Sequence, residues 1–182
     1  HNKRIGGRFS VFSVVGLLPA VIAGLKIEEF VKGAEFFLES IIEDESKFDD
    51  YFFGSFSQVL LIDKGFNISV LMPYIDCFDD FSKWYRQLWA ESIGKDNKGT
   101  TPINALGTVD QHSQLQLFLD GPRDKFFTII GKKNSINQQI IDCSYGENNT
   151  FHILHNESLE NLMNAEIQAT ITTLTKKKLP LR

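Results

Sequence analysis

The sequence predicts a three-layer α/β domain with a central, mostly parallel sheet. Three observations point to it. Two apolar runs, Asn67 to Met72 (NISVLM) and Lys125 to Ile130 (KFFTII), read as buried strands. Stretches of helical period lie between and around them, and parallel strands need such crossover helices. The chain of 182 residues, 42% hydrophobic and 23% charged, is long enough to bury a full core without staples.

The elements follow in order. Gly6-Gly7-Arg8-Phe9-Ser10 leads through a short extended entry into an apolar helix within Val11 to Gly24. Lys26 to Glu39 repeats Ile27, Phe30, Val31 and Ala34 at helical spacing. Glu43 to Asp50 is acidic and reads as a solvated loop. A helix over Ser55 to Lys64 stops at Gly65, which suits the left-handed position after a helix end. Beyond the first strand and Pro73, the residues Phe81, Trp84, Tyr85, Leu88 and Trp89 mark a helix over Asp79 to Ser92. Asp79 or Asp80 can cap its start, and Gly94 closes it. Asp96 to Pro102 is a turn-rich connector. A helix opens near Asp110 and runs to Gly121-Pro122, before the second strand. The last helix spans Ser158 to Thr175 and ends in Lys176-Lys177-Lys178, where cations complement the helix dipole.

Several function classes drop out. Nineteen basic against 23 acidic residues leave a net charge of −4 and no basic stripe, which disfavours nucleic acid as a partner. The apolar stretch Val11 to Leu25 is too short to span a bilayer and holds Gly16 and Pro19, so no membrane partner is expected. Cys77 and Cys143 lie outside zinc-ligand spacings, and free thiols fit a reducing cytosol. Asn67, Asn148 and Asn156 head glycosylation triplets without a secretory context. His152 and His155 could share a helix face, but no carboxylate trio accompanies them and no metal is expected. The phosphate loop, the dinucleotide fingerprint, the zinc-protease motif and the nucleophile elbow are all absent.

Three islands carry chemistry. Gln87 and Glu91, four residues apart, share one helix face, and Glu91 falls in the last turn before Gly94. There the dipole disfavours a negative charge, and burial would raise the carboxyl toward the range a general base needs; the bland alternative is an exposed glutamate beside Lys95. Asp110-Gln111-His112 opens a helix, where the amides oppose positive charge and favour a neutral imidazole that can exchange a proton near neutral pH. Gly6-Gly7-Arg8 combines close backbone approach with a permanently charged donor fork for an oxyanion.

Together these islands resemble the glucose-6-phosphate isomerase family, within the sugar isomerase (SIS) domain superfamily. The segments that carry the resemblance are GGRFSVFSVVGLLPA (6–20), NISVLMPY (67–74), WYRQLWAESIGK (84–95), DQHSQLQLFLDGPRDKFFTII (110–130) and NAEIQAT (164–170), in the family's order and spacing. The resemblance implies an SIS-type α/β/α fold and the interconversion of glucose 6-phosphate and fructose 6-phosphate through a cis-enediolate, without a cofactor. It implies that Glu91 moves the proton between C2 and C1 and that Arg8 stabilises the enediolate. Gly7 would let the backbone approach the sugar, Gln87 would bond near the phosphate, and His112 would assist ring opening in the neighbouring subunit of a homodimer. It further implies that residues 1–182 form one SIS domain, the second of a longer two-domain isomerase, inactive alone because the phosphate-binding loop belongs to the other domain. The family's acidic or amide residue before the double glycine is Lys3 here. A non-catalytic SIS module that binds a sugar phosphate is the competing expectation. Glu91 and Arg8 are expected beyond the carboxyl ends of the strands, where open α/β sheets bind ligands.

Overall fold

In the computed structural model, which describes residues 2–132, 139–142 and 153–182, the chain divides into two units, His1–Leu60 and Leu61–Arg182. Cys143, Asn148 and His152 lie outside the described residues.

In the first unit a 3-10 turn, Gly7–Phe9, precedes helix α1 (Val14–Ile22), whose start is capped by Ser13: its hydroxyl accepts the Val15 N–H at 3.3 Å. Helix α2 (Ile27–Glu43) follows, and α3 (Glu45–Asp63) begins in this unit. The acidic segment expected as a loop, Glu43 to Asp50, is instead the end of α2, a one-residue break at Asp44 and the start of α3. Phe48, Phe52 and Phe56 recur every four residues and stack at 6.2 and 5.9 Å, a helical contact that outweighs the local charge. No hydrophobic side chain among the described residues of this unit is buried, and Phe36, Ile42 and Phe53 are each at least 70% exposed.

Gly65 follows α3 with φ +90°, the left-handed conformation its place requires. The second unit is built on a three-stranded parallel sheet of β1 (Ile68–Pro73), β2 (Thr101–Asn104) and β3 (Lys125–Ile130) in the order β2-β1-β3. Val70 of β1 faces Ile103 on one side and Phe127 on the other. The central position of β1 explains its burial from Ser69 through Pro73. β2 falls where a connector was expected. It has four residues and a proline, Pro102, which an edge strand tolerates because the missing N–H can face outward.

Helix α4 (Asp79–Ile93) crosses from β1 to β2. Its N-cap is Phe78 rather than an aspartate; Asp79 and Asp80 instead hold Lys83 at 2.7 and 3.1 Å. Gly94 ends it with φ −71°, outside the left-handed region. The single helix expected from Asp110 onward is two short ones, α5 (Val109–Ser113) and α6 (Leu115–Asp120), divided at Gln114. The last helix, α7 (Leu159–Lys176), is capped by Ser158, whose hydroxyl accepts the Asn161 N–H at 3.0 Å.

Alternation along β1 sorts the layers. Val70 and Met72 pack with Phe118 of α6 and with Ile167 and Leu174 of α7 in one core. Ser69 points the other way, toward a hydrogen bond with Tyr85 of α4. The unit is thus three-layered, as expected. Pro180 to Arg182 line β3 on its outer side: the Phe127 N–H donates to Pro180 O and the Ile129 N–H to Arg182 O.

Candidate active site

Helix α4 leaves the carboxyl end of β1 and must run antiparallel to the strands to reach the start of β2, so its last turn lies by the amino edge of the sheet. Trp89 Nε1 fixes that end by donating to Thr100 Oγ1 at 2.8 Å, and Trp89 stacks on Tyr85 at 5.5 Å. Ala90 and Gly94 line a shallow depression with Asn67, Thr100, Thr101 and Pro102, all at the amino ends of β1 and β2. On the exposed side of this turn Gln87 Nε2 donates to Glu91 Oε1 at 3.1 Å, so the expected pairing of these two residues is realised. Glu91 is exposed, as in the bland alternative of a glutamate on the open helix face. One expectation is corrected: it sits toward the amino edge of the sheet rather than the carboxyl edge.

His112 lies at the other edge. The segment after β2 stays in register with β1, since Ala105 N–H donates to Leu71 O and Gly107 N–H to Pro73 O at 2.7 Å. It then turns into α5 through Thr108, which adopts φ +68°. Asp110 holds this corner: its carboxylate accepts the Leu106 N–H at 2.6 Å, the Ser113 hydroxyl at 2.7 Å and Gln114 Nε2 at 2.8 Å. Burial pushes the Asp110 carboxyl up, but the bonds from Gln114, Leu106 and Ser113 outweigh it and hold it below the ordinary 3.8. His112 is exposed and is the fourth of the five residues of α5, in its last turn. The argument from N-terminal amides therefore does not reach it.

The depressed Asp110 carboxyl makes a prediction. Its contribution is complete above the unfolded value near 3.8 and is lost as pH falls through the lower folded value. Asp110→Ala should destabilise the second unit by about 1 kcal/mol at pH 7, after discounting charged hydrogen bonds for solvent screening. Denaturant titrations should show that difference closing as the pH falls below about 4. A difference independent of pH would assign it to packing.

Gly7 and Arg8 belong to the first unit. They form the 3-10 turn with Phe9, closed by Ser10, whose hydroxyl donates to Gly7 O at 2.7 Å; Gly7 is exposed and Arg8 half-buried.

Sequence reasoning passed over Tyr74, Gly107 and Thr170. The signal was Tyr74's place directly after the central strand, where parallel sheets gather functional groups. Its hydroxyl donates to Gln111 Oε1 at 2.9 Å and shares a 2.8 Å bond with the Thr170 hydroxyl. Burial, partly offset by the Thr170 bond and reinforced by the charge of Glu166, holds that hydroxyl above the ordinary value of 10, so it remains a donor. A cavity of about 340 Å³ opens beside it, between the carboxyl ends of β1 and β3 and the start of α7, lined by Tyr74, Asp76, Lys132, Gln139, Glu160 and Met163. Among the described residues no group of three or more His, Cys, Asp or Glu could hold a metal ion, and no helix is long and apolar enough to cross a membrane. His155 Nδ1 lies 3.7 Å from Asp142.

No protein-family model matches the chain. Individual proteins do. It is 40% identical, over 94% of its length, to glucose-6-phosphate isomerase of Rubrobacter xylanophilus. It is 38% identical, over 97%, to a probable glucose-6-phosphate isomerase of Haloquadratum walsbyi, and 36% identical, over 97%, to the enzyme of Carboxydothermus hydrogenoformans. The chain is homologous to a segment of the glucose-6-phosphate isomerases. It spans about 40% of the length of these isomerases. A solved structure, hypothetical protein TT0462 from Thermus thermophilus, superposes with a TM-score of 0.84 at 29% identity, covering 98% of this chain and 43% of that one. Homology to glucose-6-phosphate isomerases thus accounts for the first unit as well as the sheet-bearing second.

Proposed function

We propose that this chain supplies the proton-transfer and ring-opening residues of a glucose-6-phosphate isomerase. The observation that carries the reading is the Gln87–Glu91 pair, hydrogen-bonded and open to solvent on α4, in a chain with isomerase relatives. In the open-chain aldose Glu91 takes the proton from C2. The C2–H electron pair forms the C1–C2 double bond while the carbonyl π pair moves to O1, giving an enediolate. Glu91 then returns the proton to C1, and O2 gives its proton to O1 as the C2 carbonyl forms. Two protons change place, one from C2 to C1 and one from O2 to O1, and the molecule as a whole is neither oxidised nor reduced, which calls for no cofactor. Arg8 offers the fixed cation for the enediolate oxygens, Gly7 the close backbone approach, and Gln87 a donor near the phosphate.

His112 assists opening of the sugar ring, and in this reading it serves the site of a second copy. Supporting that, Glu91 lies toward the amino edge and His112 toward the carboxyl edge of one sheet. The apolar side chains exposed on α1, α2 and α3 further support a protein surface that covers them. We read residues 1–182 as one SIS domain of a two-domain isomerase, inactive alone; what supports a larger parent protein is that the chain matches about 40% of the length of its isomerase relatives and 43% of TT0462. The test is turnover of fructose 6-phosphate in D2O by an intact protein carrying this segment. Deuterium should enter C2 of the glucose 6-phosphate formed. Turnover with no incorporation would replace the base by a hydride shift.

His112→Ala in that protein should slow reaction from the ring-closed sugar about a hundredfold, the lower range for losing an acid-base group. An open-chain analogue should be affected far less. Equal losses with both substrates would remove His112 from ring opening.

A further inference from the structure

Helix α5 has five residues, too few to be stable by itself, so whatever holds its ends sets where His112 points. Three contacts converge on it. Tyr74 is 5% exposed, and its hydroxyl bridges Gln111, the neighbour of His112, to Thr170 in the middle of α7. The face of its ring lies against Gly107, where a Cβ would come within 2.3 Å of the ring carbons, so only glycine fits. Asp110 ties the same corner to the Leu106 amide. Thr108, at φ +68°, is held in the left-handed region between these anchors, a conformation that persists only where its surroundings impose it.

We propose that Tyr74 is a positioning residue for His112, its hydroxyl fixing the turn of α5 that presents the imidazole. Tyr74 touches no reacting atom in this scheme. It acts through Gln111, and Thr170 holds the Tyr74 hydroxyl in place from behind. Thr170 is 1% exposed, so its hydroxyl is available to Tyr74 rather than to bulk water. The proposal rests on the isomerase reading for what His112 does, and on the geometry alone for what Tyr74 does to α5.

The test uses an intact protein carrying this segment, with Tyr74→Phe, which keeps the ring against Gly107, and Thr170→Val, which keeps the shape of Thr170. Each variant should lower kcat for the ring-closed sugar phosphate about tenfold, with KM and the rate on an open-chain analogue within about twofold, because misplacement of a reacting group is felt in the step that uses it. Thr170→Ser, which restores the hydroxyl, should recover most of the loss. Equal losses on both substrates, or no recovery with serine, would make the cluster merely structural and overturn the proposal.

If the parent protein turns over neither substrate, the isomerase reading fails. The positioning claim is then decided by amide hydrogen exchange in the 182-residue chain. Tyr74→Phe should speed exchange at Gln111 and His112 at least about tenfold relative to the amides of β1 and β3. Unchanged exchange at those two amides would overturn it.

Discussion

Glu91→Gln, in an intact protein carrying this segment, is expected to lower turnover of fructose 6-phosphate at least about a hundredfold while leaving KM within a few-fold. The substitution keeps the size of the side chain and leaves an amide oxygen that can still accept from Gln87 Nε2, so the 3.1 Å contact between the two positions survives. What disappears is the ability to take a proton from carbon. Because the loss falls on the chemical step, kcat should carry nearly all of it. A coupled assay measures it directly, and turnover within tenfold of the parent would remove Glu91 as the base.

The largest effect on stability is expected at Phe127. This residue of β3 is 1% exposed, lies opposite Val70 of β1, and meets Phe118 edge-on with ring centroids 5.2 Å apart. Phe127→Ala should destabilise the second unit by about 3–5 kcal/mol, combining lost transfer free energy with a cavity between strand and helix that the sheet cannot collapse to fill. Phe53, 70% exposed in the first unit, is the control, and Phe53→Ala should change stability by no more than about 0.5 kcal/mol. Denaturant unfolding of both variants checks the contrast. A loss below about 1 kcal/mol at Phe127 would mean that the Phe118 contact is not part of a tight core.

The features legible in the sequence were those set by local periodicity. β1 and β3 are dense apolar runs, α4 and α7 carry regular apolar spacing, and the four-residue step from Gln87 to Glu91 implied the contact later observed. β2 was illegible because four residues with a proline carry no alternation, and its strand character comes from pairing with β1. The start of α3 was hidden by its acidic residues, and the break at Gln114 by the continuous polar and apolar alternation around it. Which edge of the sheet Glu91 occupies depends on the direction in which α4 returns, and that direction follows only once β2 is known to be a strand. Tyr74 was passed over because its partners, Gln111 and Thr170, are distant in the chain and become neighbours only through the parallel sheet.

The strand order β2-β1-β3 also sets a timetable for the growing polypeptide. β1 is made first, yet both strands that flank it are made later, the second ending only at Ile130. At about 5–20 residues per second, synthesis from Pro73 to Ile130 takes roughly 3–11 seconds, far longer than the microseconds in which a local β-hairpin closes. Throughout that interval at least one edge of Val70-Leu71-Met72 has no partner from its own chain. The middle of the future core is therefore, for seconds at a time, a strand edge open to pairing with the same strand of another nascent molecule, and the arrival of β3 closes it.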